Sequence, residues 1–349
     1  MRNSKFSLLL SFCILLILAS CSTAETDEPV VLTVMTHDSF EISTEVVELF
    51  EQQNDVQVQF FKAGDTGSAL NKAVLAGDNP LGDVFYGVDN TFLSRALDED
   101  IFEPYDSPLL EKVDQAFILD PQHRAIPVDY ADVCINYDRA YFDEENLEIP
   151  QALEDLVDPA YRGLLVVENP ALSSPGLAFL LTTIGHFGDP AYLDFWSELV
   201  ENDVLIVNDW ETAYYSEYTL WDGQRPMVVS YSSSPSFEYI YAEAPLEEPP
   251  SASVVGPETC FRQIEFAGIL KGTNSRELAE KWIDFMLSLE FQENIQLNMA
   301  VFPVRSDAAL HEAFDQFMQT ADPLSEVSPE EISANREYWI EQWTETVLR

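Results

Sequence analysis

VQVQFFKAGDTGSALNKAVLAGDNPLGDVFYGVD, residues 56–89, decides the fold. Its ends, 56–63 and 83–89, are β-branched and aromatic runs. Between them GSALNKAVLAG, residues 67–77, keeps its apolar positions at helical spacing after a Gly-Asp-Thr turn. Strand, helix and strand in that order require a parallel pair with a crossover helix. Working outward, residues 30–36 read as a preceding strand, 42–54 as an amphipathic helix and 91–99 as a further helix. The result is βαβαβα, a mainly parallel sheet with helices on both faces.

A second α/β series follows. Residues 163–169, 204–209 and 227–231 read as strands; 175–186, 190–202, 211–221 and 235–242 read as helices. The Pro-rich stretch 244–253 reads as a surface loop, and the chain from residue 275 onward is mostly helical. Two further strands look like connectors between the series: ADVCINYD, residues 131–138, and TCFRQIEFAGIL, residues 259–270. Two α/β lobes joined by two crossing strands make a clamshell. The expected division is 31–132 plus 260–305 for one lobe and 133–259 plus 306–349 for the other. Cys134 and Cys260 fall near the starts of the two connectors, so the expectation is a disulfide at the hinge.

The chain carries 62 acidic against 17 basic residues, a formal charge of −45. A polyanion finds no basic surface here, which excludes nucleic acid as a partner. An acidic coat suits a solvated surface, a cationic ligand, or both. Residues 1–20 combine Arg2 and Lys5 with an apolar core too short to span a bilayer comfortably. Their end, LASC at 18–21, resembles the lipobox of bacterial lipoproteins. It implies removal of 1–20 as a signal peptide, lipidation of Cys21, and a tether over 21–29. The expected location is extracytoplasmic, held to the membrane by the lipid.

In open α/β sheets ligands bind beyond the carboxyl ends of the strands. HDSF (37–40), GDTGS (64–68) and Asp89-Asn90 occupy those positions in the first lobe. In the second lobe they are Ser173-Ser174-Pro175, Trp210, and YSSSPSF at 231–237. Serine followed by proline at a strand-to-helix junction serves as a helix cap. The same hydroxyls and free N–H groups can instead hold an oxyanion. Neighbouring aromatic rings suit a flat or cationic ring.

These motifs carry a family resemblance. THDSF, GSALNKAVLAG, DVFYGVDN, VDYADVCINYD, SSPGLAFLL, NDWETAYYSEY, VVSYSSSPSF, FPV and ANREYWIEQW together cover nearly the whole exported chain. They resemble the thiamine-binding lipoproteins, the substrate-binding components of ABC importers within the two-lobed periplasmic-binding-protein superfamily. The resemblance implies a monomer without enzymatic activity or cofactor. Its ligand would be thiamine or a thiamine phosphate, and its partner a membrane permease. It places Asp65, Thr66, Ser173, Ser174, Trp210 and Tyr231 to Ser234 (Tyr231, Ser232, Ser233, Ser234) against the ligand. The serines would face the hydroxyl or phosphate end, and the aromatics, with Phe237, would face the rings. His37 stands where relatives can carry an aromatic, and Ala300 where they can carry tryptophan. An imidazole can still stack; Ala300 cannot.

The superfamily also contains iron carriers, and Tyr214-Tyr215 is a candidate phenolate pair with His37 as a further ligand. Adjacent residues on a regular helix diverge by about 100°, which opposes that reading. A polyamine is a third possible ligand. His37, His123, His186 and His311 show no metal-ligand spacing, so no metal is expected. No G-x-S-x-G or G-x-x-x-x-G-K-[ST] motif supports a secreted hydrolase.

Overall fold

The computed structural model describes residues 29–349; the signal segment, Cys21 and most of the tether lie outside them. The strands in chain order are β1 (Val30–Thr36), β2 (Val56–Lys62), β3 (Val84–Asp89), β4 (Phe102–Glu103), β5 (Ile126–Asp138) and β6 (Leu165–Glu168). They continue with β7 (Leu205–Val207), β8 (Met227–Tyr231), β9 (Ser251–Val254), β10 (Phe261–Leu270) and β11 (Phe302–Pro303). All belong to one continuous hydrogen-bonded system with the main order β2-β1-β3-β10-β5-β8-β6-β7.

Its two ends are parallel and its middle is antiparallel. β1 pairs parallel with β2 and β3, and β6 pairs parallel with β7 and β8. Between these groups β5 and β10 run antiparallel to each other, with Glu265 opposite Asp129. The register of β10 shifts beside Phe266 against both β3 and β5. A bulge there re-aims the strand where it passes from one parallel group toward the other. Both strands are buried along nearly their whole length, as expected of segments covered on two faces.

Each parallel group has its own apolar filling. In the first, Phe50 meets Trp282 edge-on at 4.8 Å, over Leu32, Val34 and Val84. In the second, Trp196 meets Trp343 edge-on at 5.4 Å. Trp343 belongs to the closing helix Pro329–Val347, which begins with a Ser328/Glu331 capping box. That helix packs on Tyr192–Glu201 of the second group and also touches Leu93–Asp98 of the first.

Cys134 of β5 and Cys260, just before β10, form a disulfide with their Cα atoms 4.5 Å apart. No helix among the described residues is long and apolar enough to cross a membrane.

Two readings of local structure need correction. The stretch 244–253 is not loop throughout, because Ser251–Val254 pairs antiparallel with β5 as β9. Pro249 and Pro250 pointed to a loop, but the alternation beyond them belongs to a short buried strand. Residues 211–221 do not form one helix either. Trp210–Thr212 makes a single turn, Ala213–Glu217 is a π-turn, and Thr219–Trp221 is 3₁₀. Such widened turns recur at functional sites, where they redirect side chains.

Candidate functional site

A cavity of about 300 Å³ opens between the two groups of strands. The first group contributes His37, Ser39 and Glu41, from the loop after β1. The second contributes Trp210, Tyr214, Tyr215, Tyr231, Ser234 and Phe237. β10 supplies Glu265, and the loop entering β11 supplies Ala300 and Val301.

The π-turn builds the aromatic wall. It stacks Trp210 on Tyr214 at 4.9 Å and 18°, and turns Tyr215 edge-on to both rings. Tyr231 leans toward Trp210 at 6.0 Å. The indole Nε1 donates to Ser230 Oγ at 3.0 Å, fixing the plane of the ring. Tyr214 is buried and its hydroxyl donates to Glu238, which also accepts from Ser251. Burial pushes the Glu238 carboxyl up to about 7, with Ser251 and Tyr214 holding it back. Burial and Glu238 push the Tyr214 phenol well above its ordinary value.

The acidic side rests on a buried network. Tyr86 Oη lies 2.7 Å from Asp129 Oδ2 and 3.0 Å from Glu265 Oε2. Burial, with Glu265 opposite, pushes the Asp129 carboxyl well above its ordinary value. Burial also opposes charge on Glu265, yet His37, Asp129 and Tyr86 together bring it below the ordinary glutamate value. His37 Nε2 is 3.4 Å from Glu265 Oε1, and its Nδ1 is 2.9 Å from Ser39 Oγ. Burial disfavours the imidazolium, but Glu265, with Asp65 and Asp38, outweighs it and the net shift is upward. The Glu265 carboxylate therefore faces the cavity, with Tyr86 and the Asp129 carboxyl behind it.

The residues singled out from sequence separate into two sets. His37, Trp210, Tyr214, Tyr231, Ser234 and Phe237 line the cavity. Asp65, Thr66, Ser173 and Ser174 lie behind it, where the two groups of strands touch. Asp65 caps the helix Thr66–Ala76 through the N–H of Thr66 at 2.7 Å. Its other oxygen accepts the backbone N–H of Trp210 at 3.2 Å, and it borders a small side recess beside Asp38 and Asp209. Thr66 is buried and donates to the carbonyl of Gly87 at 3.0 Å. Ser174 donates to the Asp89 carboxylate, and the Gly67 N–H donates to the carbonyl of Leu172 at 2.9 Å. Ser173 is fully buried beside Asp65, whose carboxylate its hydroxyl helps to stabilise.

Of the serine triplet, Ser232 and Ser233 are likewise behind the cavity and Ser234 lines it. Ser232 is buried with a free hydroxyl, Ser233 donates to the carbonyl of Ala300, and Ser234 shares a 3.2 Å contact with Ser230 Oγ. Ser39 of HDSF and Tyr215 of the candidate tyrosine pair also line the cavity, as do Glu265, Glu211, Glu41 and Asn298, which were not among the expected site residues. In so acidic a chain no spacing marks these glutamates. Glu265 alone had a usable signal, as a carboxylate in the otherwise apolar run 264–270 of β10.

Among the described residues no group of three or more His, Cys, Asp or Glu side chains could hold a metal ion. The profile of the bacterial extracellular solute-binding protein family matches residues 79–335. The chain belongs to this family. It is a solute-binding family and not an enzyme family. The thiamine-binding periplasmic protein of Salmonella typhimurium is 29% identical over 338 residues, 95% of this chain and 98% of its own length. A solved periplasmic thiamin binding protein superposes with a TM-score of 0.80 at 26% identity, over 91% of this chain and 96% of that one. Iron-bound HitA from Pseudomonas aeruginosa superposes with a TM-score of 0.73 at 19% identity, covering 90% of this chain and 99% of its own, and shares the fold. The architecture is thus the α/β periplasmic-binding-protein fold.

Proposed function

We propose that this protein captures thiamine outside the cytoplasmic membrane and delivers it to the permease of an ABC importer. The observation that carries the reading is the lining of the cavity. Trp210, Tyr215, Tyr231 and Phe237 line it together with Glu41, Glu211 and Glu265, and among the described residues no Lys or Arg lines the space. A flat, positively charged ring is the ligand that such a wall and floor attract. Thiamine carries one, the thiazolium. The similarity to thiamine-binding relatives supports the same choice.

In this reading Trp210, Tyr231, Phe237 and His37 hold the rings. The second set, Asp65, Thr66, Ser173 and Ser174, acts as a latch that joins the lobes around the ligand. The lobes are 31–132 plus 260–305 and 133–259 plus 306–349, hinged at β5 and β10. Cys21 bears the lipid. A ferric ion is disfavoured because the Tyr214 hydroxyl is committed to Glu238. Titration calorimetry with thiamine, and native mass spectrometry of the protein as purified, test the proposal. Absence of heat and of a bound thiamine mass, together with a visible colour on adding ferric salt, would refute it.

A further inference from the structure

We propose that Glu238, a buried residue outside the cavity, positions its aromatic wall by tying the Tyr214 phenol, and through it Trp210, to the helix that carries Phe237. The inference rests on the ring-binding part of the thiamine reading above.

Three elements meet at this carboxyl. Tyr214 of the π-turn donates to one oxygen, and Ser251 of β9 donates to the other. Glu238 itself belongs to the helix Ser234–Ile240, and its neighbour Phe237 lines the cavity. β9 pairs with β5, so the junction is anchored on a central strand of the sheet. Asp138, Tyr215 and Tyr218 are the other titratable groups that act on it or feel its charge. Asp138 does not compete for the phenol, since it accepts from Thr219 at the exit of the turn. Arg139 gives its bonds to the Ser251 carbonyl and to Glu248.

The local backbone explains why the wall needs such an anchor. In the π-turn the Tyr218 N–H donates to the carbonyl of Ala213 at 3.1 Å, one residue further than in an α-helix. Side chains there are not aimed by a regular helical ladder. Apolar packing against Val166 and Val228 encloses the Tyr214 ring, but such packing is non-directional. The bond to Glu238 is directional and fixes the long axis of the ring. Trp210 is thereby held twice. Ser230 accepts its indole N–H, and Tyr214 supports its face at 4.9 Å.

The test is calorimetric titration with thiamine of Glu238→Leu, Glu238→Gln, Tyr214→Phe and the Glu238→Leu/Tyr214→Phe double variant, each with a thermal melt. Leucine keeps the site filled but offers no acceptor; the glutamine amide oxygen can still accept the phenol. Glu238→Leu should raise Kd by about tenfold, the scale of one hydrogen bond, and Glu238→Gln by under about threefold. Tyr214→Phe should cost about as much as Glu238→Leu, and the double variant no more than either, because both remove the same link. A carboxyl that serves only the fold would lower the melting temperature and leave the Kd of the folded protein at the parental value. That result, or losses that add in the double variant, overturns the inference and leaves the thiamine reading standing. Where Glu238→Leu fails to fold, Tyr214→Phe decides: a parental Kd overturns the inference, and a tenfold loss supports it. Failure of the parent protein to bind thiamine overturns the thiamine reading, and this inference with it.

Discussion

Gly67 offers a way to separate ligand closure from fold stability. It sits in the first turn of the helix Thr66–Ala76, where backbone N–H groups lack intrahelical partners. Its N–H is satisfied across the cleft by the carbonyl of Leu172, at 2.9 Å. A Cβ added at Gly67 would lie 2.7 Å from that oxygen and 2.9 Å from the carbonyl oxygen of Ala171. Ordinary contact begins at about 3.5 Å, and both obstacles are backbone, which cannot swing aside. Gly67→Ala should therefore act as a wedge between the lobes.

The cost of closing has two parts. The lost hydrogen bond is worth about 0.5–1.5 kcal/mol. Overpacking adds about 1–3 kcal/mol. Their sum weakens thiamine binding by about ten- to a thousandfold, because only the closed state needs the contact. The open state has no such clash. Alanine also favours the helix by up to about 1 kcal/mol, so the melting temperature of the unliganded protein should hold or rise. Calorimetric titration gives the affinity, small-angle scattering the compaction on binding, and a thermal melt the stability. Unchanged affinity with normal compaction would refute the wedge. A collapse of the melting temperature without ligand would show that the contact holds the fold together, and would refute its assignment to closure.

Trp210→Ala should lose about 1–3 kcal/mol of thiamine binding, the range for stacking a ring on an aromatic, and thiamine should quench the fluorescence of the parent protein; normal affinity of the folded variant would return Trp210 to the core. The Glu238 carboxyl, raised by burial to about 7, binds its proton more tightly folded than unfolded. Its contribution to stability is complete below the unfolded pKa of about 4.5 and is lost as pH rises through 7. Melting temperature should fall across that window, and Glu238→Gln should flatten the fall; an identical slope in the variant would count against it. Cys134 and Cys260 close a loop with a sequence separation of 126, so the chain-entropy argument assigns their bond about 4–5 kcal/mol. Denaturant unfolding of Cys134→Ser/Cys260→Ser should show that loss, and a midpoint equal to the parent would contradict it.

The two α/β series and the connectors were legible because local pattern determines them: alternating strands and helices, with a cysteine near the start of each connector. β9 was hidden by two prolines, since a four-residue buried strand has too short a period to stand out beside a turn signal. The serine junctions were legible as caps and binding motifs at once, and nothing local separates the two. The difference arises only when Ser174 meets Asp89, 85 residues away, and Ser233 meets Ala300, 67 residues away. The same holds for the charge of the site. Asp129 and Glu265 come together because β5 and β10 pair antiparallel, and the opposite shifts of their two carboxyls depend on that pairing and on Tyr86. Composition shows a chain rich in carboxylates; which of them meet beside the cavity is decided by strand register. The motifs alone therefore reach the aromatic wall of the cavity; which polar groups stand beside it needs the tertiary contacts.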